Sequence, residues 1–215
     1  MAKMEDVLEV YHLPYNEKRP VICLDELPFQ LLGEKVEPLP MKEGKEKKFD
    51  SEYIRGGVAS VFLAFEPLTG KRLVRVYPRR TKSDYCRFQQ EVASEWSAAE
   101  VIVEVQDNLN THNASSFYEN LPAAQARELT TRFEFHYTPK KGSWLNMAEM
   151  ELSALSRQCL ARRIPEIETL SRELESIVKE RNKSAIKFKW QFTVENAREK
   201  LNRHYENVIL KTLVT

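Results

Sequence analysis

The segment that most constrains the fold is residues 101–112, which read V-I-V-E-V-Q-D-N-L-N-T-H. Valines at alternate positions are typical of a β-strand that buries one face. Asp107 takes the next position of that series, and polar residues follow at once, so a carboxylate stands where the strand ends. In an open α/β sheet the carboxyl ends of strands form the edge where ligands bind. A lone Asp there is equally consistent with a turn cap, so the segment becomes informative only if the chain supplies partners for Asp107.

A second predicted strand also ends in a carboxylate. Residues 21–26 read V-I-C-L-D-E, a continuous apolar run that is typical of a central strand buried on both faces. Asp25 and Glu26 close this run. Asp25 is therefore the first candidate partner for Asp107.

The rest of the chain shows strand and helix patterns in turn. Residues 27–56 contain three prolines and a run of lysine and glutamate, which predicts a long surface loop. The predicted elements, in chain order, are a helix at 4–11, the strand at 21–26, a hairpin of strands at 57–66 and 71–77, a helix at 81–97, the strand at 101–107, a helix at 115–132 broken at Pro122, a strand at 133–137, a long helix capped by Ser143, a helix at 166–181 and a last helix at 192–205.

This order predicts an α/β fold with a mixed sheet of about five strands, flanked by helices and followed by a helical C-terminal tail. It resembles the ribonuclease-H-like arrangement, in which the first strand lies beside the strand that follows the first helix. In that arrangement Asp25 and Asp107 end neighbouring strands. We expect an N-terminal lead over residues 1–19, one α/β domain over residues 20–165 and a helical extension over residues 166–215.

Composition limits the class of protein. The formal net charge of +1 gives no overall basic field, so binding to nucleic acid would need local basic patches. The three cysteines lie far apart, which argues against a disulfide framework or a zinc cluster. The sequence shows no apolar signal core and no apolar run of membrane-spanning length. We therefore expect a cytoplasmic protein without a membrane partner.

Two neighbouring carboxylates repel each other, and both stay ionised at neutral pH only if a cation lies between them. Asp oxygens are hard ligands that suit Mg²⁺ or Mn²⁺. A third acid would complete such a site, and the helix after Gly142 offers Glu149 and Glu151. These two glutamates lie on opposite flanks of the apolar stripe of that helix, so the helical wheel does not choose between them.

Three segments resemble the catalytic blocks of DDE transposases, and most narrowly those of the bacterial insertion-sequence branch related to the mariner superfamily. They read C-L-D-E, D-N-L-N-T-H and H-Y-T-P-K-K-G-S-W-L-N-M-A-E-M-E-L-S, and the segments R-R-T-K and L-S-R-Q-C-L match as well. In that family the third acid closes an L-N-x-x-E block, and here L-N-M-A-E ends at Glu149. The resemblance runs from about residue 20 to residue 163. It implies Asp25, Asp107 and Glu149 as the catalytic residues and metal ligands.

The resemblance also implies an activity. Members cleave DNA strands and transfer them at insertion-sequence ends by a two-metal, in-line phosphoryl transfer. Two Mg²⁺ or Mn²⁺ ions would occupy each site, with Asp25 bridging both ions and Asp107 and Glu149 each favouring one. The implied partners are DNA, as element ends and target, and a second copy of the chain, because two ends must be handled together.

Further residues near the same pole are candidates for supporting roles. Asn108 and His112 are candidates for orienting water or phosphate, although a turn histidine satisfied by the backbone is an almost equally good interpretation of His112. Trp144 is expected in the core rather than as a platform for DNA bases. Five basic residues are candidates for contacts with DNA phosphates, and each alone is also consistent with a solvated surface charge: Arg79, Arg80, Lys82, Lys140 and Lys141.

An alternative hypothesis is a truncated, inactive transposase remnant that acts only as a DNA-binding or assembly module. Members of the family carry helix-turn-helix domains ahead of the catalytic core, whereas here the first catalytic strand comes close to the start of the sequence. A third hypothesis is a metal-dependent nuclease unrelated to transposition. Metal-dependent nicking of DNA distinguishes the first two hypotheses, and strand transfer to a target distinguishes the third.

Overall fold

The computed structural model describes residues 1–37, 44 and 50–203. Its centre is a five-stranded sheet in the order β3-β2-β1-β4-β5. The first three strands in the chain pair antiparallel, whereas β1 and β4, and β4 and β5, are parallel. The predicted mixed sheet with its first strand beside the strand after the first long helix is therefore confirmed. The strands are β1 (Val21–Glu34), β2 (Tyr53–Glu66), β3 (Lys71–Tyr77), β4 (Ile102–Gln106) and β5 (Phe133–Tyr137).

Helices flank this sheet, seven of them α-helical within the described ranges. A 3₁₀ turn (Ser143–Leu145) precedes α5, and a π-helical turn (Ser156–Leu160) follows it. No helix in the described part of the chain is long and apolar enough to cross a membrane. The α-helices are α1 (Ala2–Tyr11), α2 (Lys82–Glu95), α3 (Ser115–Asn120), α4 (Ala123–Thr131), α5 (Met147–Leu155), α6 (Ile167–Lys183) and α7 (Val194–Lys200).

The sheet separates two buried hydrophobic clusters. Cys23 of β1 and Val105 of β4 belong to one cluster, which α1, α5, α6 and α7 cover. Ile22 and Leu24 of β1, with Ile102 of β4, belong to the other, which α2, α3 and α4 cover. Because alternate residues of one strand point to opposite faces, β1 is buried on both sides. This confirms the prediction of a central strand.

The first two strands are longer than the sequence predicts. The prediction of a loop through residues 27–56 is wrong at both ends, because β1 continues to Glu34 and pairs there with Tyr53, where β2 begins. Pro28 stands within this ladder, opposite Ser60. It lies beyond Cys23, the last residue of β1 that pairs with β4, and a proline is tolerated where a strand has no neighbour on one side. The predicted loop residues 38–43 and 45–49 lie outside the described residues.

Side-chain caps fix where α2, α5 and α7 begin. Thr81 caps α2 and Thr193 caps α7, each through a capping box. The predicted cap at Ser143 is wrong, because that residue starts a separate 3₁₀ turn and Asn146 caps α5 instead. Pro122 separates α3 from α4 at the predicted break. The predicted end of the last helix, beyond residue 203, lies outside the described residues.

Candidate active site

Asp25 and Asp107 lie at one edge of the sheet, on neighbouring parallel strands. Cys23 of β1 stands opposite Val105 of β4, and each Asp comes two residues later in its own chain segment. Parallel strands present their carboxyl ends at the same edge of a sheet, where ligands bind in α/β folds. Asp107 directly follows the end of β4, whereas Asp25 lies within β1, two residues beyond its last pairing with β4. The two residues are therefore neighbours where β4 ends, although β1 continues past Asp25.

Glu149 reaches the same region on the first turn of α5, and Asn146 fixes where that helix begins. The Asn146 side chain is buried. Its Oδ1 accepts a hydrogen bond from the backbone N–H of Ala148 at 3.1 Å, and its Nδ2 donates to the carbonyl oxygen of Leu24 at 2.7 Å. The helix is thus anchored to the residue before Asp25. Sequence reasoning missed Asn146, although an Asn three residues before a Glu is a known pattern of helix starts.

The structure separates the two glutamates that the helical wheel left open. The Glu151 side chain is fully buried and pairs with Arg72 Nε at 2.7 Å and Arg181 Nε at 2.5 Å. Burial raises the pKa of Glu151, but hydrogen bonds from the two arginines outweigh burial and hold the pKa below its ordinary value. Glu149 is partly exposed and lines an open groove. Glu151 is therefore a buried counterion, and Glu149 is the acid that a ligand can reach.

The charges of the three carboxylates act on one another. Burial raises the pKa of Asp25 to about 7, and the negative charges of Glu149 and Asp107 contribute in the same direction. The neighbouring charge of Glu26 adds to this, while the backbone N–H of Glu26 donates to Asp25 Oδ1 at 2.8 Å and lowers the pKa in part. Burial is thus the main cause of the raised pKa of Asp25, and the neighbouring carboxylates add to it.

His112 contacts Asp107 from the inside of the protein. Its side chain is 1% exposed, with Nδ1 2.5 Å from Asp107 Oδ1 and Nε2 3.0 Å from Glu26 Oε1. The ring stacks on Tyr85 with centroids 4.8 Å apart. Burial lowers the pKa of His112, but its two carboxylate partners outweigh burial and raise the pKa to about 9. The imidazolium is therefore directed at two carboxylates and not at solvent, whereas Asn108 beside Asp107 is exposed.

The five basic residues predicted to contact DNA phosphates differ in whether an acidic side chain already pairs with them. Lys82 Nζ lies 2.5 Å from Glu119 Oε1, and Arg80 Nε lies 3.4 Å from Glu26 Oε2. The residues at 140 and 141 follow β5, which is parallel to β4 and so ends at the same edge of the sheet as Asp107. Three residues are exposed and form no ion pair within the described part of the chain: Arg79, Lys140 and Lys141.

The donor set suits a divalent cation, although its side chains do not close around one point. Over residues 1–37, 44 and 50–203, no three His, Cys, Asp or Glu side chains form a ready-made metal cluster. Asp107 Oδ1 is buried, and its short contact with His112 does not have the direction of a hydrogen bond. The Asp107 side chain is 35% exposed, so this carboxylate and that of Asp25 offer oxygen ligands of the kind that a hard cation such as Mg²⁺ or Mn²⁺ prefers.

Two polar residues of β4 form side-chain hydrogen bonds with partners from elsewhere in the chain. Gln89 Nε2 donates to Glu104 Oε1 at 2.6 Å, and the Tyr85 hydroxyl donates to Gln106 Oε1 at 3.0 Å. Both β4 side chains are fully buried. They pack under α2, so β4 remains a central strand despite its polar composition.

Trp144 does not lie in the core. Its side chain is 49% exposed, and the prediction that it is buried is wrong. The ring stacks on Trp190 with centroids 6.4 Å apart and meets Phe192 edge-on at 5.9 Å. These partners come from the segment before α7, so the ring is held in place at the surface.

Residues 20–171 match the family model described as DDE superfamily endonuclease. Among solved structures, the crystal structure of the Mos1 mariner paired end complex with Mn is similar, with 15% identity and a TM-score of 0.54 over 86% of this chain and 56% of that chain. The corresponding complex with Mg has 14% identity and a TM-score of 0.50 over 86% of this chain and 59% of that chain. The chain thus spans less than two thirds of these structures, and at this identity the likeness concerns the fold. No curated protein matches the chain.

Proposed function

Because the chain belongs to the DDE superfamily endonucleases, we propose that it is a transposase catalytic domain that cleaves DNA strands and transfers them at insertion-sequence ends. The observation that carries this proposal is the position of Asp25 and Asp107, each two residues beyond the last parallel pairing of β1 and β4, with Glu149 on a helix that Asn146 anchors to β1. The two similar structures are paired end complexes of a mariner protein with Mn or Mg. These complexes support DNA ends and a divalent metal as ligands here.

Asp25, Asp107 and Glu149 would hold the two divalent ions, Mg²⁺ or Mn²⁺, that we propose for this site. When bound, the ions supply Lewis acidity for an in-line phosphoryl transfer. His112 supports this site by holding Asp107 at the end of β4 through a contact of 2.5 Å. Asn146 supports it by fixing the first turn of α5 against β1. Both residues position ligands and leave the acids themselves accessible.

DNA phosphates would be held by the basic residues that have no ion pair in the described part of the chain, namely Arg79, Lys140 and Lys141. Asn108 is exposed beside Asp107, which supports a role in orienting water or phosphate. Handling two element ends together requires a second copy of the chain, so we propose a homodimer during transposition. We assign this activity to residues 20–165, with residues 166–215 as a C-terminal extension whose helix α6 covers the sheet, in a protein that acts in the cytoplasm.

Mn²⁺-dependent nicking of supercoiled plasmid tests this function. We expect the unaltered chain to nick, Asp107→Asn to lose nicking, and Glu128→Gln, which changes an exposed carboxylate on α4, to nick normally. Joining of a cut insertion-sequence end to a target plasmid then distinguishes a transposase from a nuclease that only cleaves.

A non-catalytic DNA-binding or assembly module is the second candidate. The observation that favours it is that the acids do not form a closed metal cluster within the described residues. This role predicts DNA binding without metal-dependent nicking. If the unaltered chain is folded and binds DNA but does not nick with Mn²⁺, the catalytic proposal fails and this one replaces it.

A further inference from the structure

An open groove of about 530 Å³ runs along α5 next to Glu149. Residues from the 3₁₀ turn, from two turns of α5 and from the π-helical turn line it, and Phe188 closes it from the C-terminal segment. Pockets of ~300–1,000 Å³ are typical of sites for organic ligands. The groove thus has room for a ligand directly beside one of the proposed catalytic acids.

The groove exposes apolar surface that is held in a fixed position. Trp144 and Met150 line it and are 49% and 38% exposed. Stacking on Trp190 and edge contact with Phe192 orient the Trp144 ring. A fixed, solvent-exposed indole is a suitable stacking surface for a nucleic acid base, because every base has a π-face and needs no specific hydrogen bond there.

Positive charge lies beyond the acid along the same groove. Arg157 lines the groove, is exposed and forms no ion pair within the described ranges. Glu149, Ser153 and Arg157 follow one another at intervals of four residues, so they share one side of the helical segment. At ~1.5 Å per residue the acid and the arginine are roughly 12 Å apart along the axis, which corresponds to about three or four stacked nucleotides of one strand.

We propose that this groove binds unpaired nucleotides of a DNA strand, with a base stacked on Trp144 and a phosphate contacted by Arg157. The proposal rests on the proposed function, because it is the DNA substrate that would bring a strand to Glu149. Bases inside a duplex are stacked on their neighbours and do not offer a free face, so stacking on Trp144 selects nucleotides that have left the duplex. An aromatic ring at one end and an uncompensated arginine at the other complement the base and phosphate of such a strand.

Fluorescence anisotropy with a labelled thymidine oligonucleotide, and with a duplex of equal length, tests the site in metal-free buffer. We expect Trp144→Ala to weaken single-strand binding about 5- to 150-fold, which corresponds to the ~1–3 kcal/mol of base–aromatic stacking, and to change duplex binding by less than about twofold. Trp144→Phe should retain most of the affinity. Tyr118→Ala removes another exposed aromatic ring, 47% exposed and remote from the groove, and should change neither affinity.

A second variant keeps the test decisive if Trp144→Ala does not fold. Ser153 lies on the exposed side of α5 within the groove, so Ser153→Glu adds a negative charge without disturbing the core. We expect single-strand affinity to fall at least about tenfold for this variant, and to stay unchanged for the exposed control Gln125→Glu on α4. Arg157→Ala should weaken single-strand binding in the same direction as Ser153→Glu.

The inference is overturned if the groove variants bind the single strand with unchanged affinity, or if they lose as much affinity for the duplex. It is also overturned if Trp144→Ala converts a dimer into a monomer, because the surface would then belong to the contact with a second copy of the chain. Plasmid nicking separates this inference from the proposed function. If the unaltered chain nicks DNA and the variants keep their single-strand affinity, only the inference about the groove is contradicted. If the groove variants bind the single strand more weakly but the unaltered chain does not nick DNA, only the catalytic proposal is contradicted.

Discussion

Asn146 donates a hydrogen bond of 2.7 Å from its Nδ2 to the carbonyl oxygen of Leu24. Leu24 directly precedes Asp25, and Asn146 precedes Glu149 by three residues. One buried amide therefore connects the segments that carry two of the three proposed metal ligands. Because the same side chain also caps α5, its removal should affect both the stability of the fold and the function of the site.

We expect Asn146→Ala to lower the free energy of unfolding by about 2–4 kcal/mol, since it removes a helix cap and leaves a buried carbonyl without a donor. Nicking of plasmid DNA should fall at least about tenfold, because Glu149 is no longer fixed relative to Asp25. Urea unfolding and nicking assays measure the two effects. Thr193→Ala removes the cap of α7, so it should cost ~1 kcal/mol and leave nicking intact. Equal behaviour of the two variants would contradict the assignment.

The two glutamates of α5 should respond in opposite ways to the same change. Glu151→Gln removes the charge that pairs with buried Arg72 and Arg181, and we expect a loss of about 3–5 kcal/mol in the free energy of unfolding. Glu149→Gln should change stability by less than about 0.5 kcal/mol and abolish nicking. Urea unfolding of both variants measures the first quantity. Full activity in Glu149→Gln would show that Glu149 is not a ligand.

Glu104 should make the stability of the protein depend on pH. Burial raises the pKa of Glu104 to about 8, even though Gln89 donates a hydrogen bond to it. In the unfolded chain a Glu titrates near ~4.3, so between these values the folded state binds more protons and stability falls as pH rises. At ~1.4 kcal/mol per pKa unit the change amounts to several kcal/mol, and it ends above the folded pKa.

Glu104→Gln should remove this contribution, so the variant gains stability relative to the unaltered chain as the pH rises. Urea unfolding across the interval from weakly acidic to weakly alkaline pH measures the difference between the two proteins at each pH. Glu128→Gln provides the control, since that carboxylate is exposed. Parallel curves for Glu104→Gln and the unaltered chain would show that the buried carboxyl group does not bind a proton on folding.

Divalent metal should stabilise the folded chain in a way that depends on Asp107. At a metal concentration of about 100 times the Kd, binding adds ~2.7 kcal/mol, which raises the Tm of a protein of this size by about 5–10 °C. We expect this shift with Mn²⁺ for the unaltered chain and a much smaller one for Asp107→Asn. Calorimetry measures it without relying on DNA cleavage. An equal shift in both proteins would place the metal elsewhere.

The basic residues after β5 should contribute to the salt dependence of duplex binding. Lys141 has φ 62°, in the left-handed region, so Lys141→Asn removes its charge with a residue that tolerates this conformation. The double variant Lys140→Gln, Lys141→Asn should make the negative slope of log K against log salt less steep by up to about 1.8, the value for two lost phosphate contacts. Lys82→Gln should have less effect, because Lys82 pairs with Glu119. Anisotropy at a series of salt concentrations measures the slopes.

Much of the fold can be predicted from local sequence patterns. The continuous apolar run before Asp25 predicts a strand buried on two faces, and the alternating valines before Asp107 predict its neighbour. The order of elements then places the two strands side by side, as observed in the parallel pairing of β1 and β4. Pro28 was misleading because a proline interrupts a strand only where its missing N–H is needed, and that depends on neighbours which the local sequence does not specify.

The remaining details depend on partners far away in the chain. Trp144 is apolar and reads as a core residue, but its aromatic partner Trp190 arrives from a distant segment and holds it at the surface. A helical wheel of α5 does not distinguish Glu149 from Glu151. Glu151 is identified as a buried counterion by its contact with Arg72, which lies 79 residues away in the sequence. Such contacts are specified by tertiary packing, which no window of local sequence contains.

The buried group of Arg72, Glu151 and Arg181 has a consequence for biosynthesis. Arg181 lies 30 residues after Glu151, so a nascent chain emerging from the ribosome holds the carboxylate and the first arginine before the second arginine exists. Until then α5 carries a charge that is only half compensated, and nothing joins it to α6. Domains fold as their residues leave the ribosome, and here the second partner of the Glu151 charge comes only from a late part of translation. A prematurely terminated product lacking α6 would therefore carry all three acids but only one of the two arginines that pair with Glu151.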